Sequence, residues 1–240
     1  MKDFSILIPA RLESTRLPRK LILDETGHPL IWHSLKNLQA LRNQAEICLV
    51  TDSQELANAV EDLADQVFIS DVDHQSGTER ITEMLPKIKS EWILNVQADE
   101  PEIDPKQLEN LMKIMLEGSH EMGTLGVPFL DKTTWENPNA VKVLLNESFE
   151  ALYFSRSALP WGGSFDSPRV LHHLGVYAYQ KALLNKWAKL PKGPFESCEK
   201  LEQLRALENG ISIVVHQVSC AHKGIDTKED YQAFVKRTKE

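Results

Sequence analysis

The stretch PARLESTRLPRK, residues 9–20, puts Arg11, Arg16, Arg19 and Lys20 into one short run without a glycine. Guanidinium groups fork onto phosphate oxygens and a lysine ammonium adds a point charge, so a triphosphate is a natural ligand for such a run. Taken alone, the run is equally a solvated loop. Asp99, just past the apolar stretch WILNV, and Asp226, in KGIDTKED, are carboxylates of the kind that hold a hard cation such as Mg²⁺ beside substrate phosphates. Each has a plainer alternative, a turn or cap for Asp99 and a first-turn helix carboxylate for Asp226. HQSGTER, residues 74–80, opens a helical pattern with a small Ser76-Gly77 pair, which lets a ligand approach backbone amides or simply caps a helix. His173 and Tyr177 are spaced to share one face of a strand. Arg156, Glu202 and Gln203 complete the polar set, each of which is by itself as well explained by structure or surface.

These groups need elements to position them. FSILIP reads as a buried strand, and EICLVTD, QVFIS and EWILNV read as strands. Between and after them, LIWHSLKNLQAL, SQELANAVEDLA, TERITEMLPKIK and DPKQLENLMKIML read as helices, with Ser53 and Asp104 as N-caps and Pro105 at a first helical position. Such alternation predicts a parallel sheet covered on both faces. The second half reads differently. TLGVPF, AVKVLL, ALYFS and HLGVYAY are strands with no long helix between the first three, which predicts a mixed, partly antiparallel sheet. Helices are expected at KALLNKWAKL and across CEKLEQLRALENG, stopped by Gly210. A last strand, ISIVVHQV, and a last helix, TKEDYQAFVKR with Thr227 as N-cap, follow. Residues 160–170 read as a mobile loop.

In an open parallel sheet, ligands bind beyond the carboxyl ends of the strands. The residues following the first four strands are PARLESTRLPRK, Thr51-Asp52, SDVDHQSGTER and Gln97-Ala98-Asp99-Glu100-Pro101, so the polar candidates crowd one edge. The cationic loop is neither a P-loop nor GxGxxG, which disfavours ATPase and dehydrogenase chemistry.

Composition bounds the rest. The chain has 240 residues, 42% hydrophobic and 26% charged, with net charge −8. That suits one soluble domain or a domain with a sub-domain, and disfavours general binding to nucleic acid or anionic membrane. No apolar run approaches the roughly 18 residues of a membrane span. Cys48, Cys198 and Cys220 stand far apart with no CxxC pair, which disfavours a zinc site or a disulfide framework and predicts a cytoplasmic protein.

As a set, IPARLESTRLPRK, HQSGTER, NVQADEP, NPNAVKVL, ALYFSR, HLGVYAY, ESCEKLEQLR and GIDTKED resemble the 3-deoxy-D-manno-octulosonate cytidylyltransferase (CMP-Kdo synthetase) family, in its order and over almost the whole chain. The resemblance implies a Rossmann-like α/β nucleotidyltransferase fold, mostly parallel with a smaller mixed or antiparallel sub-domain. It implies a homodimer that uses Mg²⁺ and makes CMP-Kdo and pyrophosphate from CTP and Kdo, an acidic octulosonate sugar, for lipopolysaccharide biosynthesis. It divides the single domain into a nucleotide part, 1–130, a sugar-binding and dimerisation part, 131–220, and a metal-site loop and helix, 221–240. By the same resemblance Arg11 and Lys20 contact the triphosphate, and Ser76, Gly77 and Arg80 surround the nucleoside. Asp99 and Asp226 hold the metal. Gln97, Arg156, His173, Tyr177, Glu202 and Gln203 form the sugar pocket, with Arg156 and His173 meeting the sugar carboxylate. The sequence departs from the family in having Arg19-Lys20-Leu21 where Gly-Lys-Pro is common, and Ala98 where glycine is common. The alternatives are a cytidylyltransferase for 8-amino-Kdo, sialic or pseudaminic acid, and a non-catalytic nucleotide-binding homologue.

Overall fold

In a computed structural model of the chain, residues 2–70, 74, 77–221 and 224–239 are described. The seven residues of β1 (Phe4–Ala10) are all buried, as expected of a strand covered on both faces. α1 (Leu30–Leu38), β2 (Ala45–Thr51), α2 (Gln54–Ala59), β3 (Gln66–Ile69), α3 (Gly77–Met84), β4 (Trp92–Asn95) and α4 (Pro105–Glu117) follow. Ser53 caps α2 by accepting from the Leu56 amide. Asp104 accepts from the Lys106 amide ahead of α4, whose first residue is Pro105. At Pro86 the α3 helix gives way to a single 3₁₀ turn, Leu85–Lys87.

The chain divides into two units, residues 1–109 with 222–240, and residues 110–221. In the first, the strands run parallel in the order β3-β2-β1-β4. β2 therefore lies on one side of β1 and β4 on the other. In an open α/β sheet, ligands bind beyond the carboxyl ends of such parallel strands.

The second unit contains β5 (Met122–Pro128), α5 (Lys132–Glu136), β6 (Lys142–Leu145), β7 (Ala151–Ser155), β8 (Val170–Gln180), α6 (Lys181–Trp187), α7 (Pro194–Glu199), α8 (Leu204–Glu208) and β9 (Ile213–Gln217). β8 is antiparallel to both β5 and β6, β6 is antiparallel to β7, and β5 is parallel to β9. The sheet is mixed, as the second half of the sequence predicts. The chain ends in α9 (Lys228–Lys239), which belongs to the first unit.

The single helix expected over residues 198–210 is two. Lys200 ends α7 in the left-handed region, φ 53°, and α8 starts four residues later. Long-range contacts fix the break. The Glu208 carboxylate accepts the amides of Phe195 and Glu196 at the start of α7. A buried, two-pronged ion pair joins Arg205 to Glu196 at 2.6 and 2.8 Å. Gly193 leaves room for the cap, since a Cβ there would meet the Glu208 carboxylate at 2.1 Å. No helix of the described residues is long and apolar enough to cross a membrane.

Candidate active site

The cationic loop leaves β1 and returns without glycine because Arg19 itself takes the left-handed turn, φ 53° and ψ 32°. Its guanidinium reaches sideways to Glu55 in the first turn of α2, at 2.7 and 2.8 Å. Lys20 behaves differently. Its side chain is only 11% exposed, and its ammonium donates to Asp99 Oδ2 at 2.5 Å, the Ile225 carbonyl at 2.8 Å and Asp226 Oδ1 at 3.0 Å. An ammonium has three N–H donors, so all of them are committed. Arg16 adds a second cation to Asp226 at 2.9 Å. Arg11 is exposed.

Asp99 and Asp226 are held by backbone. The Asp99 carbonyl accepts the Ile225 amide at 2.9 Å, which ties the two segments together. The preceding Ala98 is buried, outside the left-handed region, and its carbonyl accepts from Ser34 Oγ at 2.7 Å. The alanine therefore sits there without backbone strain. Asp226 precedes a reciprocal cap on α9, in which Thr227 Oγ1 accepts the Asp230 amide and Asp230 Oδ2 accepts the Thr227 amide. This capping-box geometry fixes the helix start and the carboxylate beside it.

On the far side of β1, Gly77 opens α3 against Pro9, where a Cβ would come within 3.2 Å of the proline ring. Arg80, one turn on, is 5% exposed at its side chain and gives Nη2 to Asp52 Oδ2 at 3.2 Å. Its Nη1 is buried and has no hydrogen-bond partner among the described residues. His74 contacts Glu83 at 2.7 Å. Glu83's carboxyl is held below the usual range, first by a hydrogen bond from Ser70 and further by His74. Ser76 lies outside the described residues.

A cavity of about 330 Å³ opens at this edge of the sheet, lined among others by Arg11, Arg16, Lys20, Arg80, Gln97 and Asp99. Gly77 and Asp226 also border it. Of the candidates from the first unit, the structure brings Arg11, Lys20, Gly77, Arg80, Gln97, Asp99 and Asp226 around one space. Its walls carry the cations Arg11, Arg16, Lys20 and Arg80, and two of its carboxylates, Asp99 and Asp226, share one ammonium. Among the described residues, no group of three or more histidine, cysteine or acidic side chains is placed to hold a metal. Two carboxylates fit a hard cation that keeps substrate phosphates and water among its ligands, as Mg²⁺ does.

The remaining candidates belong to the second unit. His173 on β8 is buried, and its Nε2 lies 3.1 Å from Thr124 Oγ1. That hydroxyl donates to the Val176 carbonyl at 2.6 Å, so it accepts from the ring, and Nδ1 is left as the acceptor nitrogen. Burial, reinforced by His172, pushes the His173 pKa down to about 3, so the ring is neutral near pH 7. Arg156 is therefore the charged member of the pair expected to meet a carboxylate. The Tyr177 ring lies 5.3 Å from His173 despite a register shift in β8 between them. Arg156 gives its Nε to the Glu199 carbonyl and Nη1 to the Pro138 carbonyl. Glu202 accepts from Trp187 Nε1 at 3.1 Å. Gln203 is buried, with Nε2 lacking a partner among the described residues.

Some supporting residues carry no assignment from sequence. Asp230 matches the capping signature T-x-x-D, which was available to read. Lys142, in NPNAVKVL, is fully buried and gives its ammonium to the carbonyls of Asn137, Ala140 and Arg156, fixing the backbone that presents Arg156. Burial lowers its pKa. Glu199 accepts from Ser155 and the Arg156 amide. Glu199 meets partners more than forty residues away, and Lys142 reaches Arg156 fourteen residues on, so neither contact has a local signal.

The chain matches the profile of the family described as "Cytidylyltransferase" over residues 5–213. It is 37% identical to an 8-amino-3,8-dideoxy-manno-octulosonate cytidylyltransferase of Shewanella halifaxensis, with 95% of each chain aligned. It is 39% identical to a 3-deoxy-manno-octulosonate cytidylyltransferase of Rhodopseudomonas palustris, over 95% of this chain and 94% of the relative. Among solved structures it resembles a CMP:2-keto-3-deoxy-manno-octonic acid synthetase complexed with CTP, with TM-score 0.92 and 33% identity over 100% of this chain and 99% of the other.

Proposed function

Since the chain belongs to the cytidylyltransferase family, we propose that it transfers CMP from CTP to the anomeric hydroxyl of 3-deoxy-manno-octulosonate (Kdo). The carrying observation is the cavity at the carboxyl ends of the parallel strands, bordered by Arg11, Arg16, Lys20 and Arg80, with Lys20 between Asp99 and Asp226. The hydroxyl oxygen bonds to the α-phosphorus, the bond from that phosphorus to the β-phosphate oxygen breaks, pyrophosphate leaves, and the hydroxyl proton passes to solvent. Such displacements rest on positioning and charge neutralisation more than on covalent help from the protein.

Arg11 and Lys20 meet the triphosphate and offset charge on the leaving pyrophosphate. Lys20 has no idle N–H, so each contact to phosphate replaces one it now makes. Ser76, Gly77 and Arg80 surround the nucleoside, and Arg80 Nη1 supplies a donor in want of an acceptor. Asp99 and Asp226 hold a divalent cation, Mg²⁺, which when bound supplies Lewis-acid polarisation of phosphate oxygens. Gln97, Arg156, His173, Tyr177, Glu202 and Gln203 bind the sugar. Arg156 carries the positive charge toward its carboxylate, and His173 contributes hydrogen bonds as a neutral ring. The same reading puts the enzyme in the cytoplasm, as a homodimer, on the route to lipopolysaccharide.

The test is pyrophosphate release from CTP with Kdo and Mg²⁺. Asp99→Ala is expected to lower turnover by at least a hundredfold, and near-wild-type turnover defeats the carboxylate assignment. The relative from Shewanella makes the 8-amino sugar the second substrate to assay.

A further inference from the structure

β2 lies between β1 and β3 in the sheet, so the first residue beyond its carboxyl end can reach the segments that follow both neighbours. That residue is Asp52. Its Oδ1 accepts the amide of Leu12, two residues past β1 and next to Arg11, at 3.1 Å. Its Oδ2 accepts Arg80 Nη2, on the helix that follows β3, at 3.2 Å. One carboxylate thus joins the start of the cationic loop to the cation on the opposite wall. Asp52 is not among the residues bordering the cavity.

We infer that Asp52 is the positioning residue of the nucleotide side, setting the distance between the loop that takes the triphosphate and the guanidinium that takes the nucleoside. The inference rests on the cytidylyltransferase reading above. Arg80 supplies the second observation. It is a buried cation neutralised at one nitrogen only, and a buried N–H left unpaired is costly enough that native proteins rarely keep one without use. With Nη2 committed to Asp52, rotation of the fork is blocked and Nη1 is held ready for a ligand acceptor. Without Asp52, the guanidinium gains alternative orientations and the Leu12 amide loses its anchor. Both must then be ordered by the nucleotide itself, at the expense of affinity.

The experiment measures CTP binding by calorimetry without sugar, then steady-state kinetics, for wild type, Asp52→Asn, Asp52→Ala, Arg80→Ala and the Asp52→Ala/Arg80→Ala double variant. Asp52→Ala is expected to weaken CTP binding at least tenfold and Asp52→Asn less, with KM for the sugar changed by no more than about twofold. Because part of the Asp52 effect passes through Arg80 and part through the Leu12 amide, the double variant should lose clearly less affinity than the two single losses multiplied together. A merely structural role would instead lower the unfolding temperature and add its full effect on top of Arg80→Ala. CTP binding within twofold of wild type in both Asp52 variants overturns the inference, as does full additivity. If the variants fail to fold, nuclear magnetic resonance of the unmodified protein decides. The Arg80 side-chain and Leu12 amide signals should both shift when CTP binds, and an unmoved Leu12 amide overturns the inference. A wild-type protein that binds no CTP defeats the cytidylyltransferase reading together with this one. Wild-type binding with indifferent Asp52 variants defeats this one alone.

Discussion

Arg19 holds a backbone conformation that costs a residue with a Cβ roughly 1–2 kcal/mol, at a position where glycine would hold it freely. Its return is a two-pronged pair with Glu55 in which both side chains are about half exposed, a class of contact worth about 0–1 kcal/mol. Glycine also raises the entropy of the unfolded chain by roughly 0.4–1 kcal/mol. These terms nearly cancel, so Arg19→Gly should leave stability within about 1 kcal/mol of wild type by denaturant unfolding. Because Arg19 faces Glu55 and not the cavity, KM for CTP should stay within twofold, and a tenfold rise would make Arg19 a phosphate contact. Lys20 predicts the opposite pattern. Its ammonium occupies both carboxylates, so Lys20→Met should bind Mn²⁺ more tightly without nucleotide, by about tenfold in a spin-resonance titration, while KM for CTP rises at least tenfold. Unchanged or weaker Mn²⁺ binding would mean that the lysine and the cation do not compete.

Continuous apolar runs were enough to read β1, β2 and β4, since strands buried on both faces need no alternation, and the caps at Ser53, Asp104 and Thr227 were readable from side-chain chemistry. The break at Lys200 was not, because a left-handed lysine has no local signature and the contacts that fix it join residues 9 to 13 apart. The site divides along the same line. The cavity-lining residues fall in compact motifs, whereas Asp52 and Glu199 act through partners that only the folded chain brings close. His173 adds a testable property of the packing of β8 on β5. The ring must be neutral when folded, with a pKa of about 3, yet takes a proton near pH 6.5 when unfolded. Between those values the unfolded state binds the extra proton, so stability rises with pH and is lost as pH falls below 6.5. A full proton difference corresponds to about 1.4 kcal/mol per pH unit. Thermal unfolding from pH 7 to pH 4 should therefore fall less steeply for His173→Gln than for wild type. Parallel curves would mean that the folded protein admits the proton on His173.

At the scale of the whole chain, an acidic protein of net charge −8 is proposed to handle two anionic substrates, so its cations must be concentrated where those substrates bind. The first unit concentrates Arg11, Arg16, Lys20 and Arg80 around one cavity. In the second unit, the groups proposed for the sugar include the cation Arg156, a neutral His173 and the buried Gln203 amide, whose Nε2 has no partner among the described residues. A donor without a partner suits a hydroxyl or carboxylate oxygen and cannot pair with an ammonium. We take this amide to meet C8 of the sugar, where Kdo and its 8-amino counterpart differ, since a C8 hydroxyl accepts a hydrogen bond and a protonated C8 amine does not. Leaving a buried donor unpaired, or setting it against another donor, costs about 1–3 kcal/mol. kcat/KM for Kdo should therefore exceed that for the 8-amino sugar by at least about tenfold at pH 7. The gap should narrow at higher pH, where the amine loses its proton and becomes an acceptor. Gln203→Leu should narrow it too, by removing the donor that penalises the ammonium. Equal or greater efficiency with the 8-amino sugar at pH 7 would reverse the substrate assignment while leaving the CTP-dependent reaction in place.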